Sequence, residues 1–229
     1  MLKIGNTIYT LDQWQRDMRS FATSLRRGLF KDRWLCVEGF PRSANSFVTN
    51  ASRLLLGDEK GRIISHTHNR EIVRHAIRKQ IPTAITIRNP IDSVASLMIY
   101  HRQNDIEFGK KSLTWWIYFY RWFLKNKNLA FEFAFFEDIT GNFNSFLEAM
   151  NDKFSMGFPK VENLEEFQAR IRERLQKKFN KRARDLAQFS LPHSKKPLKT
   201  ESKEKFKYLP ITGDALDLYR EIVSIFKKT

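Results

Sequence analysis

Two segments of the chain combine turn residues with arginine and hydroxyl side chains that can bind an anion. In the first, an apolar run at residues 34–37 leads into residues 39–47, Gly-Phe-Pro-Arg-Ser-Ala-Asn-Ser-Phe, a pattern that predicts a strand turning into a helix. The first backbone N–H groups of a helix lack internal partners and lie at the positive end of its dipole, so such a turn can hold phosphate or sulfate. The expected anion ligands are the side chain of Arg42 and the backbone of Ser43, Ala44, Asn45, Ser46 and Phe47. A structural turn with solvent-facing polar residues is the alternative.

This first segment keeps the frame of the nucleotide-binding loop G-x-x-x-x-G-K-[ST] but lacks its lysine. Gly39 stands at the first glycine position, Ala44 at the second, Asn45 at the lysine position and Ser46 at the hydroxyl position. A positive charge returns three residues before Asn45, at Arg42. The pattern therefore disfavours an NTPase that holds Mg²⁺ and a γ-phosphate, and it favours a different phospho-group held by an arginine.

The second segment, residues 87–96, also runs from a predicted strand into a predicted helix. Arg88 ends the strand, and Ser96 lies two turns along the helix. The planar guanidinium of Arg88 suits a phosphate, and the hydroxyl of Ser96 can add a hydrogen bond. Both are therefore expected at the same ligand-binding edge as Arg42. A structural ion pair between Arg88 and Asp92 is the alternative.

A pair of histidines at the end of another predicted strand supplies a candidate general base. His66 and His68 are two residues apart, so both side chains are expected to project from one face toward the loop that contains Arg42. Histidine is the side chain best suited to accept a proton near neutral pH. A structural role stays open. A metal site is less favoured, because one pair offers too few ligands and no acidic or cysteine partner stands nearby in the sequence.

The elements that must position these residues follow from the alternation of short apolar runs with amphipathic segments. Strands are predicted at residues 34–37, 62–65, 83–87 and 129–136, with helices at residues 46–56, after Asn69 and after Asn89. Such alternation implies βαβ units, and right-handed crossovers bring the strand-to-helix loops to the edge where ligands bind. We therefore predict an α/β fold of three layers, with a central parallel sheet of about four to five strands flanked by helices, like that of the P-loop NTPases.

Apolar periodicity predicts the remaining helices. An N-terminal helix is expected from Thr10, and its apolar side, which should pack on the domain, comprises Leu11, Trp14, Met18, Phe21 and Leu25. An aromatic-rich helix at residues 111–127 is expected in the core, although it could also line a pocket. We treat residues 1–229 as a single domain, with a basic helix and then a mobile, lysine-rich loop at about residues 163–208, of which the loop is residues 190–208.

Composition and charge exclude several classes of protein. The 229 residues include 41 Lys and Arg against 25 Asp and Glu, a net charge of +16, so an anionic partner or substrate is expected. Residues 170–207 alone hold 14 basic and 4 acidic residues. The single cysteine, Cys36, excludes an intrachain disulfide and a cysteine-based zinc cluster. The first residues do not resemble a secretory signal, and the most apolar run, residues 113–124, is too short to span a bilayer, which predicts a cytoplasmic protein.

Taken together, these loops resemble those of the sulfotransferases that use 3′-phosphoadenosine 5′-phosphosulfate. Residues 39–47 are similar to that family's 5′-phosphosulfate loop, and residues 87–96 are similar to its 3′-phosphate motif, including the spacing from arginine to serine. Thr67-His68 stands where the family often has Lys-Thr-His, and Phe136 begins a Phe-Glu-Asp that resembles the family's Tyr-Glu-Asp. The similar motifs span residues 34–138.

The resemblance implies an enzyme that moves a sulfuryl group from 3′-phosphoadenosine 5′-phosphosulfate to a hydroxyl or amine without requiring a metal. It implies that His68 is the general base, that Arg42 stabilises developing charge, and that Arg88 and Ser96 hold the 3′-phosphate. Phe136 would approach the adenine. In place of the family's C-terminal Arg-Lys-Gly, the nearest basic residues are Lys195 and Lys196.

The sequence also departs from the family's pattern. Ala44 replaces a glycine, Asn45 and Ser46 replace two threonines, and Phe47 replaces a tryptophan. His66 stands at the position of a lysine, which keeps the choice between His66 and His68 open.

The acceptor and two other classes of function stay open at this stage. A small molecule, a saccharide or a lipid could serve as the acceptor, including an acidic one, and a peripheral membrane contact is compatible with the charge. A kinase-like phosphotransferase on the P-loop framework is one rival, and a basic nucleic-acid-binding protein is the other. Nucleic acid is not the expected partner, because the aromatic residues follow the spacing of a helical core rather than that of an exposed basic surface.

Overall fold

A four-stranded parallel sheet runs through the centre of the protein. The computed structural model describes residues 4–57, 61–180 and 196–227. Within these ranges the strands are β1 (Leu35–Gly39), β2 (Ile63–Ser65), β3 (Thr83–Ile87) and β4 (Glu132–Phe135). The helices are α1 (Ile4–Arg26), α2 (Asn45–Leu56), α3 (Arg70–Arg78), α4 (Pro90–His101), α5 (Ile106–Lys125), α6 (Phe136–Gly141), α7 (Phe143–Phe154), α8 (Leu164–Asn180), α9 (Lys196–Phe206) and α10 (Pro210–Phe226).

The order of the strands places the ligand-binding edge beside β1. The sheet runs β2-β1-β3-β4 with parallel pairing throughout, and Cys36 of β1 lies between Ile64 of β2 and Thr83 of β3. The helix that follows β1 packs on one face of the sheet, and the helix that follows β3 packs on the other. The carboxyl ends of β1 and β3 therefore form a topological switch point, the place where open α/β sheets bind ligands.

Alternating side chains of the strands build a core on each face of the sheet. On one face, Ile85 and Phe133 pack against α4, α5 and α10. On the other face, Val37 and Ala84 pack against α2, α7 and α8. The predicted three-layer α/β fold with a parallel sheet is confirmed, and the sheet has four strands. The aromatic helix α5 is core, as expected, with Trp116, Phe119, Tyr120 and Phe123 buried.

Asparagine side chains begin two of the helices that carry the candidate site. The side chain of Asn69 accepts hydrogen bonds from the N–H groups of Glu71 and Ile72 at the start of α3. The side chain of Asn89 does the same at the start of α4, where Pro90 occupies the first turn. Both helices therefore begin where the sequence predicts, because the caps satisfy orphan N–H groups locally.

The prediction of a lysine-rich loop at residues 190–208 is wrong for the part that the structure describes. Residues 196–206 form the helix α9. The sequence lacks a clear apolar period there, but Phe206 and Ser202 are buried one turn apart. Phe206 packs against Gly109 of α5, and Lys203 forms an ion pair of 2.8 Å with Asp92 of α4. Tertiary contacts with α4 and α5 thus hold a helix that local sequence does not predict.

The orientation predicted for α1 is wrong for four of its five apolar side chains. Helix α1 begins at Ile4 rather than at Thr10, and its buried side chains include the polar residues Gln13 and Asp17. These two side chains bond to each other, with the Gln13 amide donating to Asp17 Oδ1 at 2.9 Å. The side-chain amide of Asn69 donates to the backbone carbonyl of Asp17 at 2.8 Å. Of the five predicted apolar side chains, Phe21 is half-buried and packs with Phe30 and His75. The other four, Leu11, Trp14, Met18 and Leu25, are exposed.

None of the helices within the three described ranges combines the length and the apolar character needed to cross a membrane.

The buried carboxylate of Asp17 should make stability depend on pH. Burial raises the pKa of Asp17 from 3.8 to about 6, against the opposing effects of the Gln13 hydrogen bond and the Arg70 charge. The folded protein therefore favours the protonated form more strongly than the unfolded chain does. This contribution is fully present below the unfolded pKa and is lost as pH rises through about 6.

We predict that Asp17→Asn, which imitates the protonated form, raises the free energy of unfolding near pH 7 by about 1–3 kcal/mol. It should also flatten the pH dependence of stability between about pH 4 and pH 7. Denaturant titrations across this range measure both effects. Asp12→Asn, an exposed carboxylate on the same helix, is the matched control and should change stability little. Equal effects of the two variants would contradict the assignment to Asp17.

Candidate functional site

The end of β1 and the loop that follows it, the β1–α2 loop (residues 40–44), are shaped by close approach to β3. A Cβ atom on Gly39 would fall inside van der Waals contact of the backbone oxygen and the hydroxyl of Thr86. Only glycine therefore lets β1 and β3 lie together at this point. The first glycine of the predicted anion loop is thus required by the backbone packing of the sheet.

Two buried side chains fix the conformation of this loop. The side-chain amide of Asn45 donates to the carbonyls of Gly39 and Phe40 at 3.3 and 3.2 Å, while its oxygen accepts from the hydroxyl of Thr86. The hydroxyl of Tyr120 on α5 accepts from the N–H of Phe40 at 3.0 Å and donates to the carbonyl of Thr86 at 2.7 Å. The side chain of Asn45 is therefore occupied within the loop, and only its backbone is available to a ligand.

The backbone at the start of α2 has the form of an anion-binding turn. Arg42 and Ala44 have φ angles of 70° and 75°, in the left-handed region. Ala44 is the N-cap of α2 and has no side-chain oxygen to cap the helix. Successive N–H groups that alternate between right- and left-handed conformations form a concave site for anions. The uncapped start of α2 therefore fits a phosphate or sulfate oxygen.

Not all of the predicted backbone donors are equally available. The N–H of Ser43 donates to the carbonyl of Phe40 at 3.3 Å, and the N–H of Phe47 donates to the carbonyl of Ala44 at 2.9 Å. The ring of Phe47 packs on Phe143 of α7 with ring centroids 5.6 Å apart. The donors best suited to a ligand are therefore the N–H groups of Ala44, Asn45 and Ser46, at the start of the helix.

Arg42, Arg88 and Ser96 come together across the switch point. The Nε of Arg42 donates to the hydroxyl of Ser96 at 3.0 Å. Burial, together with the nearby charge of Arg88, lowers the pKa of Arg42 to about 10, so the Arg42 guanidinium remains charged at neutral pH. Two positive charges held together in a half-buried setting favour an anion between them.

Arg88 is oriented by Phe136 at the start of α6. Its guanidinium carbon lies 3.9 Å from the centre of the Phe136 ring, a cation–π contact. Burial lowers the pKa of Arg88, while Asp92 and Glu137 raise it in opposition. Asp92 itself pairs with Lys203 at 2.8 Å. Phe136 therefore contacts Arg88 directly and can hold it in place for a ligand.

The loop after β2, the β2–α3 loop (residues 66–69), is fastened to β1 by a buried carboxylate. Glu38 accepts hydrogen bonds from the N–H and the hydroxyl of Thr67, each at 2.8 Å, and from the N–H of His68 at 3.0 Å. Burial raises the pKa of Glu38, and the charge of His68 and these hydrogen bonds oppose that rise. His66 and His68 have φ angles of 62° and 49°. Left-handed backbone at two non-glycine residues marks a strained loop held by its surroundings.

The tautomer of His68 follows from its partner. Its Nδ1 lies 2.8 Å from the carbonyl oxygen of Gly39. A carbonyl can only accept, so Nδ1 carries the hydrogen, and Nε2 of the neutral ring keeps a lone pair. His66 is exposed, and its ring centre lies 6.1 Å from that of His68. His68 is therefore held in a defined orientation beside the β1–α2 loop.

Neither of the two C-terminal lysines predicted for this site has a described side chain. Lys195 lies outside the described residues, and Lys196 is the first residue of α9, where only the backbone is described.

Sequence reasoning missed Glu38 and Tyr120. A glutamate inside the apolar strand β1 was a signal for the first. Tyr120 gave no separate signal, because it shares the spacing of the aromatic core.

No protein-family model matches this chain, and a search of curated proteins found no match. Among residues 4–57, 61–180 and 196–227, no three His, Cys, Asp or Glu side chains lie close enough together to hold a metal ion.

The packing of Gly39 gives a direct test of the loop. We predict that Gly39→Ala lowers the free energy of unfolding by at least about 2 kcal/mol, because the methyl group must push β1 away from β3. Gly213→Ala in α10 is the matched control, since nothing lies within 4 Å of its position. That control should stabilise the protein by roughly 0.5–1 kcal/mol, because alanine favours a helix interior. Denaturant unfolding measures both, and a tolerated Gly39→Ala would contradict the described approach of the strands.

Proposed function

We propose that this protein is a sulfotransferase that transfers a sulfuryl group from 3′-phosphoadenosine 5′-phosphosulfate to a hydroxyl or amine. The observation that carries the proposal is the convergence of Arg42, Arg88 and Ser96 with the uncapped start of α2 at the switch point. His68 lies beside the same loop, with its Nδ1 bonded to Gly39. An anion site and a positioned base therefore occur together, which is what transfer of an anionic group to a nucleophile needs.

The residues take separate roles in this proposal. The N–H groups of Ala44, Asn45 and Ser46 hold the oxygens of the 5′-phosphosulfate, and Arg42 stabilises the negative charge that develops during transfer. Arg88 and Ser96 hold the 3′-phosphate. When bound, the nucleotide supplies the sulfuryl group, and the described residues bind and orient it.

His68 takes the proton of the acceptor at Nε2. Because the Gly39 carbonyl holds the Nδ1 hydrogen, the imidazolium formed by protonation at Nε2 keeps the same hydrogen bond. The carboxylate of Glu38 lies beside the same nitrogen, with its Oε2 4.0 Å from Nδ1. The orientation of the ring is therefore the same before and after it takes the proton.

The lysine position of the nucleotide loop argues against a kinase-like phosphotransferase. Asn45 stands there, and its side chain bonds to the Gly39 and Phe40 carbonyls within the loop. It therefore cannot reach the phosphates of a nucleoside triphosphate in this conformation. The charge that replaces the lysine is Arg42, which approaches from the side of Ser96.

Calorimetry with 3′,5′-adenosine diphosphate and with ATP, each with and without Mg²⁺, tests the proposal. We predict saturable binding of 3′,5′-adenosine diphosphate without metal. Arg88→Ala should weaken it by roughly 10- to 100-fold, the loss of charge-assisted hydrogen bonds. Arg220→Ala, at an exposed position on α10, is the control and should change affinity less than about twofold. Binding of Mg-ATP alone would favour the phosphotransferase instead.

The assignment of the base has its own test. With labelled 3′-phosphoadenosine 5′-phosphosulfate and a set of phenolic, sugar and amine acceptors, we predict that His68→Ala lowers turnover by about 10²- to 10⁴-fold. His66→Ala is the matched control and should keep most of the turnover. Affinity for 3′,5′-adenosine diphosphate should remain in both variants, which shows that they fold. If His66→Ala is the inactive variant, His66 is the base.

A further inference from the structure

Helix α1 carries a row of large apolar side chains on its exposed side. Leu11, Trp14, Met18 and Leu25 are 53, 43, 36 and 42% exposed. They recur at intervals of three, four and seven residues, so they lie on one side of the helix, which we call the α1 stripe. The buried residues of the helix include Gln13 and Asp17, which face α3 and α5 instead. Within the described part of the chain, the core therefore leaves the α1 stripe uncovered.

Basic residues border the α1 stripe. Arg19 and Arg26 lie one residue further round the helix than Met18 and Leu25, so they form a neighbouring row. Between residues 11 and 32, the exposed charged side chains are five basic and two acidic. Apolar side chains flanked by arginine are the pattern of a helix that lies in the interface of an anionic membrane.

The charge beside the stripe favours a lipid surface over a second copy of the chain. A second copy would bring the same excess of basic side chains to the interface, whereas an anionic lipid surface is complementary to that charge. Each apolar side chain that enters a lipid surface also contributes separately.

We propose that α1 is a membrane-docking helix that binds an anionic lipid surface. Leu11, Trp14, Met18 and Leu25 insert below the headgroups, and Arg19 and Arg26 contact the lipid phosphates. The docking does not depend on the sulfuryl transfer proposed above. Docking through α1 brings the lipid surface to a helix that contacts the candidate site. The backbone carbonyl of Asp17 in α1 accepts a hydrogen bond from Asn69, the residue after His68.

Sedimentation with lipid vesicles tests the docking on the full chain. Vesicles of phosphatidylcholine with roughly one third phosphatidylserine should bind the protein, and binding should fall as salt is raised. Leu11→Ser, Met18→Ser and Leu25→Ser together should weaken binding at least about tenfold, since three half-exposed apolar side chains are lost. The matched control replaces three equally exposed residues elsewhere, Ile106→Ser, Leu129→Ser and Ile225→Ser, and should stay within about twofold of the parent protein.

A second pair of variants separates local from overall charge. Arg19→Gln with Arg26→Gln should weaken binding about tenfold, whereas Arg172→Gln with Arg174→Gln on α8, which removes the same net charge, should weaken it less. Equal loss in both pairs, equal loss in both serine triples, or absence of vesicle binding overturns the proposal. So does a dimer in analytical ultracentrifugation that only the α1 triple dissociates, because a second copy would then cover the stripe.

Discussion

The hydrogen bonds to the buried carboxylate of Glu38 hold the candidate site together. This side chain lies inside β1 and accepts three hydrogen bonds from Thr67 and His68 of the β2–α3 loop. Burial raises the pKa of Glu38, and these hydrogen bonds oppose that rise. The same bonds hold the β2–α3 loop, in which two histidines have a left-handed backbone conformation, against β1. Strand β1 leads directly into the anion-binding turn. A carboxylate buried at this point couples the proposed base to the proposed anion site.

Gly39, the next residue of β1, contacts both the β2–α3 loop and strand β3. The carbonyl of Gly39 accepts from Nδ1 of His68, and the absence of a side chain on Gly39 allows β3 to approach. Tyr120 and Asn45 then tie the loop to Thr86 of β3. The side chains that make these contacts are not among the groups proposed to bind the ligand. The N–H groups at the start of α2 are left to bind a ligand, and the network positions them before any ligand arrives. Arg42 and Arg88 are also left, and they contact Ser96 and Phe136.

The sequence predicted the parts of this structure that local rules determine. Strand β3 and helix α4 follow from an apolar run and an Asn-Pro start, and the meeting of Arg42 with Ser96 follows once the strands are parallel. It did not predict α9, which depends on the burial of Phe206 against a distant helix. Nor did it predict that Asn45 bonds within its own loop or that Glu38 holds the β2–α3 loop. These contacts join residues whose proximity is set only by the assembled sheet, so no periodicity in the sequence indicates them.

The reversed orientation of α1 connects the candidate site with the outer surface of the protein. A helix normally buries its apolar side, because that burial supplies most of its stability. Here Gln13 and Asp17 face inward, the second oxygen of Asp17 is buried without a hydrogen-bond partner, and burial raises the pKa of that carboxyl. The inner contact of α1 is therefore weaker than an apolar one would be. A partner that covers the α1 stripe would supply apolar burial and hold the helix that accepts a hydrogen bond from Asn69, the last residue of the β2–α3 loop.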